Sequence, residues 1–156
     1  SGIIGTVVNV GLFTTELKRF DGLFVSVPNS QIWSAHIVNY SRNASRRVEV
    51  VVGVAYDTDI EQARALLLEE AQALPNALAD PAPEVVIAAL GQSSIDLSVR
   101  VWVPAADYMQ TWSFMNRRVK ETLESHGIEI PFPQRVLHVV GGHQPAVTAG
   151  EKGGRQ

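Results

Sequence analysis

The chain has 156 residues, 46% of them hydrophobic, with 13 Lys and Arg against 16 Asp and Glu for a formal net charge of -3. That is enough apolar material for one core or two small ones, and it excludes both the low hydrophobicity of a disordered chain and the strongly basic balance of a general nucleic-acid binder. The chain contains no cysteine, which excludes disulfides and thiolate metal sites and fits a reducing compartment.

From Ser1 to about residue 43 the pattern is glycine-punctuated alternation, read as short strands. Asp21-Gly22 separates the apolar alternating runs Leu12 to Lys18 and Leu23 to Val27, the signature of a hairpin whose turn needs a positive φ. Pro28 removes a ladder donor and Asn29 favours a turn, so the second run stops at Pro28-Asn29-Ser30. Weak alternation through Ile32, His36 and Val38 suggests a further strand before Asn39-Tyr40-Ser41-Arg42. The uncharged windows Ser1 to Thr15 and Gly22 to Ser41 are too short or too broken by turn residues to match the ~20 apolar residues of a membrane helix. No basic segment followed by an apolar one marks a signal peptide.

The polar run Arg42-Asn43-Ala44-Ser45-Arg46-Arg47 reads as a crossing between two domains. Val48, Val50, Val52 and Val54 then alternate as a strand. Thr58-Asp59-Ile60-Glu61 reads as a capping box, opening a helix at Asp59 with apolar positions Ile60, Ala63, Leu67, Ala71 and Leu74 and a stop at Pro75. Val85 to Leu90, the loop Gly91 to Ser94, and the alternation Ile95, Leu97, Val99, Val101, Val103 form a hairpin. A second helix from about Ala106 places Tyr108, Trp112, Met115, Val119 and Leu123 on one face, with Gly127 as a left-handed cap. A last strand runs from about Arg135 to Val140, and residues 141–156 read as a disordered tail. Strand, helix, strand, strand, helix, strand is the ferredoxin-like order.

Chemistry-bearing clusters are sparse. Asp57-Thr58-Asp59 could ligate a divalent ion, but acidic residues at a helix start are more simply explained by the helix dipole. His36, His126, His138 and His143 lack metal-ligand spacing, and Ser93 and Ser94 lack the glycines of a nucleophile elbow. We therefore expect no enzyme, no catalytic residue, no metal and no cofactor. Arg42, Arg46 and Arg47 could meet RNA phosphates, yet Val48 to Val54 has none of the aromatics of an RNA-recognition sheet, so no nucleic acid is expected. Trp33, Trp102 and Trp112 read as core or subunit-contact residues.

Taken in series, the Pro28-Asn29-Ser30 corner, Asn39-Tyr40-Ser41-Arg42, Gly53 to Asp59, Ser93-Ser94-Ile95, Val99 to Trp102 and Gly127 to Gln134 resemble the small-conductance mechanosensitive channel (MscS-type) family of bacteria and their organellar relatives, from about Gly5 to His138. The resemblance implies an α+β chain: a small Sm-like β-barrel domain lacking its first strand over residues 1–43, a ferredoxin-like α/β domain over 44–133, a C-terminal oligomerisation strand over 134–140 and a tail over 141–156. The missing strand is the one that precedes the family's Gly-x-x-Gly-x-Val segment, matched here by Gly2 to Val7.

The family likeness implies the cytoplasmic vestibule domain of a mechanosensitive ion channel of the bacterial inner membrane. That channel is a homoheptamer, with its own transmembrane helices upstream of this chain, that releases solutes on osmotic downshock. It further implies a gating contact of Pro28, Asn29 and Ser30 with the pore helix, a domain junction with possible vestibule charges at Asn39, Arg42, Arg46 and Arg47, and a barrel-forming strand carrying Val136, His138 and Val140. If His138 pointed inward, seven imidazoles would resist protonating together. The alternative is a free-standing soluble interaction domain, with RNA as one partner to be tested.

Overall fold

The computed structural model describes residues 2–134. They form two antiparallel three-stranded sheets, one with strand order β1-β2-β3 and one with order β4-β6-β5. In the first, β1 (Thr6–Val10), β2 (Thr14–Lys18) and β3 (Phe24–Pro28) make a meander. The Asp21-Gly22 hairpin is as expected, with Lys18 opposite Phe24 and Thr14 opposite Pro28. Gly22 has φ 86°, and its N–H donates to the Arg19 carbonyl while Arg19 N–H donates to Leu23. The positive φ thus falls on glycine alone, which has no Cβ to oppose it.

Two expectations in this half change. The strand expected from Leu12 begins at Thr14. The strand expected through Ile32, His36 and Val38 is replaced by a five-residue helix, α1 (Asn29–Trp33), directly after Pro28. The fixed φ of proline, -57° here, prepares a helix start, and the weak alternation has no neighbouring strand to pair with among the described residues. Trp33 is 85% exposed, so it is not a core residue.

The second sheet carries the core. β4 (Ser45–Val54) pairs along its whole length with β6 (Ile95–Pro104), which also takes β5 (Glu84–Leu90). The period-2 reading of β6 is borne out, because Ile95, Leu97, Val99, Val101 and Val103 are all buried. They pack under α2 (Ile60–Gln72) and α3 (Tyr108–Ser125), which contribute Ala63, Leu67 and Ala71, and Met115, Val119 and Leu123. The first sheet adds only Val27 and Thr15 to the buried set.

The capping box is corrected by one position. Asp59, not Thr58, is the N-cap of α2, its Oδ1 accepting from Glu61 N–H at 3.0 Å and Gln62 N–H at 3.1 Å. Asp59 outcompetes threonine because its carboxylate also meets the positive end of the helix dipole. A short 3-10 turn (Ala105–Asp107) precedes α3, which therefore starts at Tyr108, and Trp112 lies on its exposed side. Gly127, with φ 70°, closes α3 as expected; Ile128 N–H reaches the Leu123 carbonyl and Gly127 N–H that of Glu124. The strand expected over Arg135–Val140 and the tail lie outside the described residues. No helix among the described residues is long and apolar enough to cross a membrane.

Candidate functional site

Asn29, the first residue of α1, is bonded at four points to the first sheet and the β1–β2 turn. Its Nδ2 donates to the carbonyls of Gly11 (2.9 Å) and Leu12 (3.1 Å), its Oδ1 accepts from the Thr15 hydroxyl (2.8 Å), and its N–H donates to the Phe13 carbonyl (2.8 Å). Asparagine alone among the short side chains carries the two N–H donors and the separate acceptor oxygen that these contacts use. The corner is therefore a clamp that ties the end of β3 to the β1–β2 turn, with Pro28 ending the strand before it and α1 running on from Asn29 through Ser30. The sequence marked Asn29 as a turn former. The only sign of its partner was Thr15, a polar residue on a face whose neighbour Val27 is buried.

At the crossing between the sheets, Asn39 Oδ1 accepts from the N–H groups of Ser41 (3.0 Å) and Arg42 (2.9 Å) and from the Ser41 hydroxyl (3.1 Å), an Asx turn that reverses the chain locally. The Arg46 guanidinium lies over two rings, 3.7 Å from the Tyr108 centroid and 4.8 Å from that of Tyr40, which links the crossing to the start of α3 through cation–π attraction. Arg47 turns to the other face of β4 and pairs with Glu49 at 3.2 Å.

Glu49 also accepts from Ser98 Oγ at 2.7 Å and Arg100 Nε at 3.0 Å, and Arg100 reaches Glu84 at 3.2 Å. The Ser98 hydroxyl first, and then the Arg100 guanidinium, hold the Glu49 carboxyl below the usual carboxylate range. The sheet face away from the helices is thus a row of self-neutralising charges, a feature the alternation of β6 concealed because only its apolar half was read.

Among the described residues, no hydrogen bond or ion pair joins Asn39, Arg42, Arg46 or Arg47 to the Pro28–Ser30 corner. Val136, His138 and Val140 lie outside the described residues. No group of three or more His, Asp or Glu suited to hold a metal occurs among the described residues. Asp59, the strongest acidic candidate, is occupied as a cap.

Two family profiles match. The one described as "Mechanosensitive ion channel, beta-domain" covers residues 1–42, and "Mechanosensitive ion channel MscS, C-terminal" covers residues 48–130. An MscS family protein of Archaeoglobus fulgidus is 38% identical over 87% of this chain and 48% of its own length. The small-conductance mechanosensitive channel of Edwardsiella ictaluri is 36% identical over 88% of this chain and 48% of its own. The chain thus spans about half the length of the curated relatives it matches. The closed-state crystal structure of Helicobacter pylori MscS superposes with a TM-score of 0.84 at 29% identity, over 91% of this chain and 56% of that one. Arabidopsis thaliana MSL1 shares the fold at TM-score 0.71, over 85% of this chain and 50% of that one.

Proposed function

The chain belongs to the small-conductance mechanosensitive channel family, and from that premise we propose that it is the cytoplasmic vestibule domain of a channel of the bacterial inner membrane that opens under tension and releases solutes on osmotic downshock. In this reading residues 1–43 form the β domain and 44–133 the ferredoxin-like domain. The strand at 134–140, with Val136, His138 and Val140, joins those of other copies in a homoheptamer. Transmembrane helices upstream would sense tension, and this domain would organise the ion path below them.

The observation that carries the proposal is the uncovered apolar surface of the first sheet. Val7, Val8, Val10, Leu12, Phe13 and Phe24 are all exposed, far more than a sheet standing alone in water keeps bare. Neighbouring copies and the pore helix would cover it. The Asn29 clamp sits at the edge of this surface and would transmit the position of the pore helix into the sheet, with Pro28 and Ser30 shaping the contact. Asn39, Arg42, Arg46 and Arg47 would line the junction. An RNA-binding module is not favoured: the open face of the second sheet pairs Arg47, Glu49, Arg100 and Glu84 with one another and offers one aromatic, Trp102.

Patch recordings of the full-length protein test this. Tension-activated currents from a complex of seven-subunit mass are expected, with Asn29→Ala altering inactivation. A full-length protein that stays silent up to membrane rupture would overturn it.

A further inference from the structure

Three segments singled out by sequence, Gly53 to Asp59, Gly91 to Ser94 and Gly127 to Gln134, do no chemistry yet meet at one end of the second sheet. Gly91 N–H donates to the Ser94 carbonyl at 2.7 Å, so Gln92 and Ser93 form the tip of the β5–β6 hairpin. Ser94 is seated between two glycines: a Cβ on Gly53 would stand 2.8 Å from the Ser94 Cβ, and one on Gly91 3.1 Å from the Ser94 carbonyl oxygen. The Tyr56 hydroxyl donates to the Gly91 carbonyl. Against this platform the chain leaving α3 is fastened at two points, Ala55 N–H to the Glu129 carbonyl (3.1 Å) and Gln134 N–H to the Ser93 hydroxyl (3.1 Å).

Among the described residues β4 has one partner strand, β6, so its other edge is open to the fourth strand that a ferredoxin-like sheet would complete. The Ala55–Glu129 bond is the first rung such a strand would make. Because a strand presents alternate residues to a given neighbour, the next amides owed to the β4 edge belong to positions 131 and 133. Both are prolines and have no N–H to give. We propose that Pro131 and Pro133 bar the segment from completing its own sheet, and that the Ser93 hydroxyl then catches it at Gln134 and sets where the following residues depart. The device keeps residues 130–134 from pairing along β4 and so bears on the residues that follow them. That it thereby frees them for other copies rests on the assembly proposed above; the strap itself does not.

Amide exchange followed by NMR on the 156-residue chain, with native mass spectrometry on the same samples, tests the strap. Ser93→Ala is expected to speed exchange of the Gln134 amide at least about tenfold while leaving Leu97 and Val99 unchanged. In Pro131→Val/Pro133→Val the Val51 and Gly53 amides, which share the outward parity of Ala55, are expected to slow by a similar factor as the fourth strand forms. Unchanged Gln134 exchange in Ser93→Ala, or an unchanged β4 edge in the double variant, would overturn it. Variants that show these exchange changes, beside a wild-type chain that forms no higher oligomer, would sink the assembly and leave the strap standing.

Discussion

Asn29 shows how much one side chain can carry when its three polar contacts converge from another part of the chain. Replacing it with alanine leaves the carbonyls of Gly11 and Leu12 and the buried Thr15 hydroxyl without their partner. Lost hydrogen bonds of this kind cost about 1–3 kcal/mol when water does not replace them. Asn29→Ala is therefore expected to lower the stability of the first sheet by that amount in urea unfolding, with exchange of the Gly11 and Thr15 amides rising well before that of β6. Asn29→Asp keeps the acceptor and loses the donor, so it should fall between the two; equal stability of all three proteins would deny the clamp. Arg46 illustrates the opposite lesson. Its charge suggested a phosphate ligand or a vestibule charge, but two tyrosines sixty-odd positions apart in sequence, Tyr40 and Tyr108, both have their rings against its guanidinium.

Between elements, the link most sensitive to conditions joins α2 to α3. Arg118 donates to both carboxylate oxygens of Glu70, with Nη2 at 2.7 Å from each and Nε at 3.0 Å from Oε2. This fork, more than the nearby Thr122 and His126, holds the Glu70 carboxyl below its usual value. A carboxyl whose folded value is depressed stabilises the fold above the unfolded value and loses that contribution as pH falls through the depressed one. The urea midpoint of the wild-type chain should thus drop more between pH 7 and pH 3 than that of Glu70→Gln, and parallel curves would show that the pair contributes nothing. Elements with strong local signals were legible from sequence: the β6 alternation, the α2 and α3 faces, and Gly127 as a cap are where expected. The errors fall where a local signal competes with context. Ile32 to Val38 alternates but finds no strand to pair with, Thr58 yields the cap to Asp59, and Trp112 looks like a core position until Thr111 beside it takes the buried face and accepts a hydrogen bond from Asn76 at 2.7 Å. The Asn29 clamp and the Glu49 row were illegible because each is assembled from residues far apart in sequence.

At the scale of the whole molecule the apolar residues are distributed unevenly. The buried cluster runs from Val48 to Ile128, while the first sheet leaves all five residues of β1 exposed. Burial of apolar surface is the main favourable term against chain entropy, at about 25 cal/mol per Å², so a three-stranded meander with two buried residues has little to hold it when alone. The two halves should therefore separate in stability. In the monomeric chain, amides of Thr6 to Val10 are expected to exchange through local opening, orders of magnitude faster than those of Leu97 to Val103 in the central strand β6, which exchange only on global unfolding. Leu97→Ala, which opens a cavity in the larger core at a cost of about 2–5 kcal/mol, should speed exchange throughout β6 without changing β1. Assembly reverses the contrast: if neighbouring copies cover the first sheet, protection of Thr6 to Val10 must rise with protein concentration as the oligomer forms. Exchange in β1 that is independent of concentration across the range where mass spectrometry detects higher oligomers would mean that the apolar face of this sheet is not the contact surface between copies.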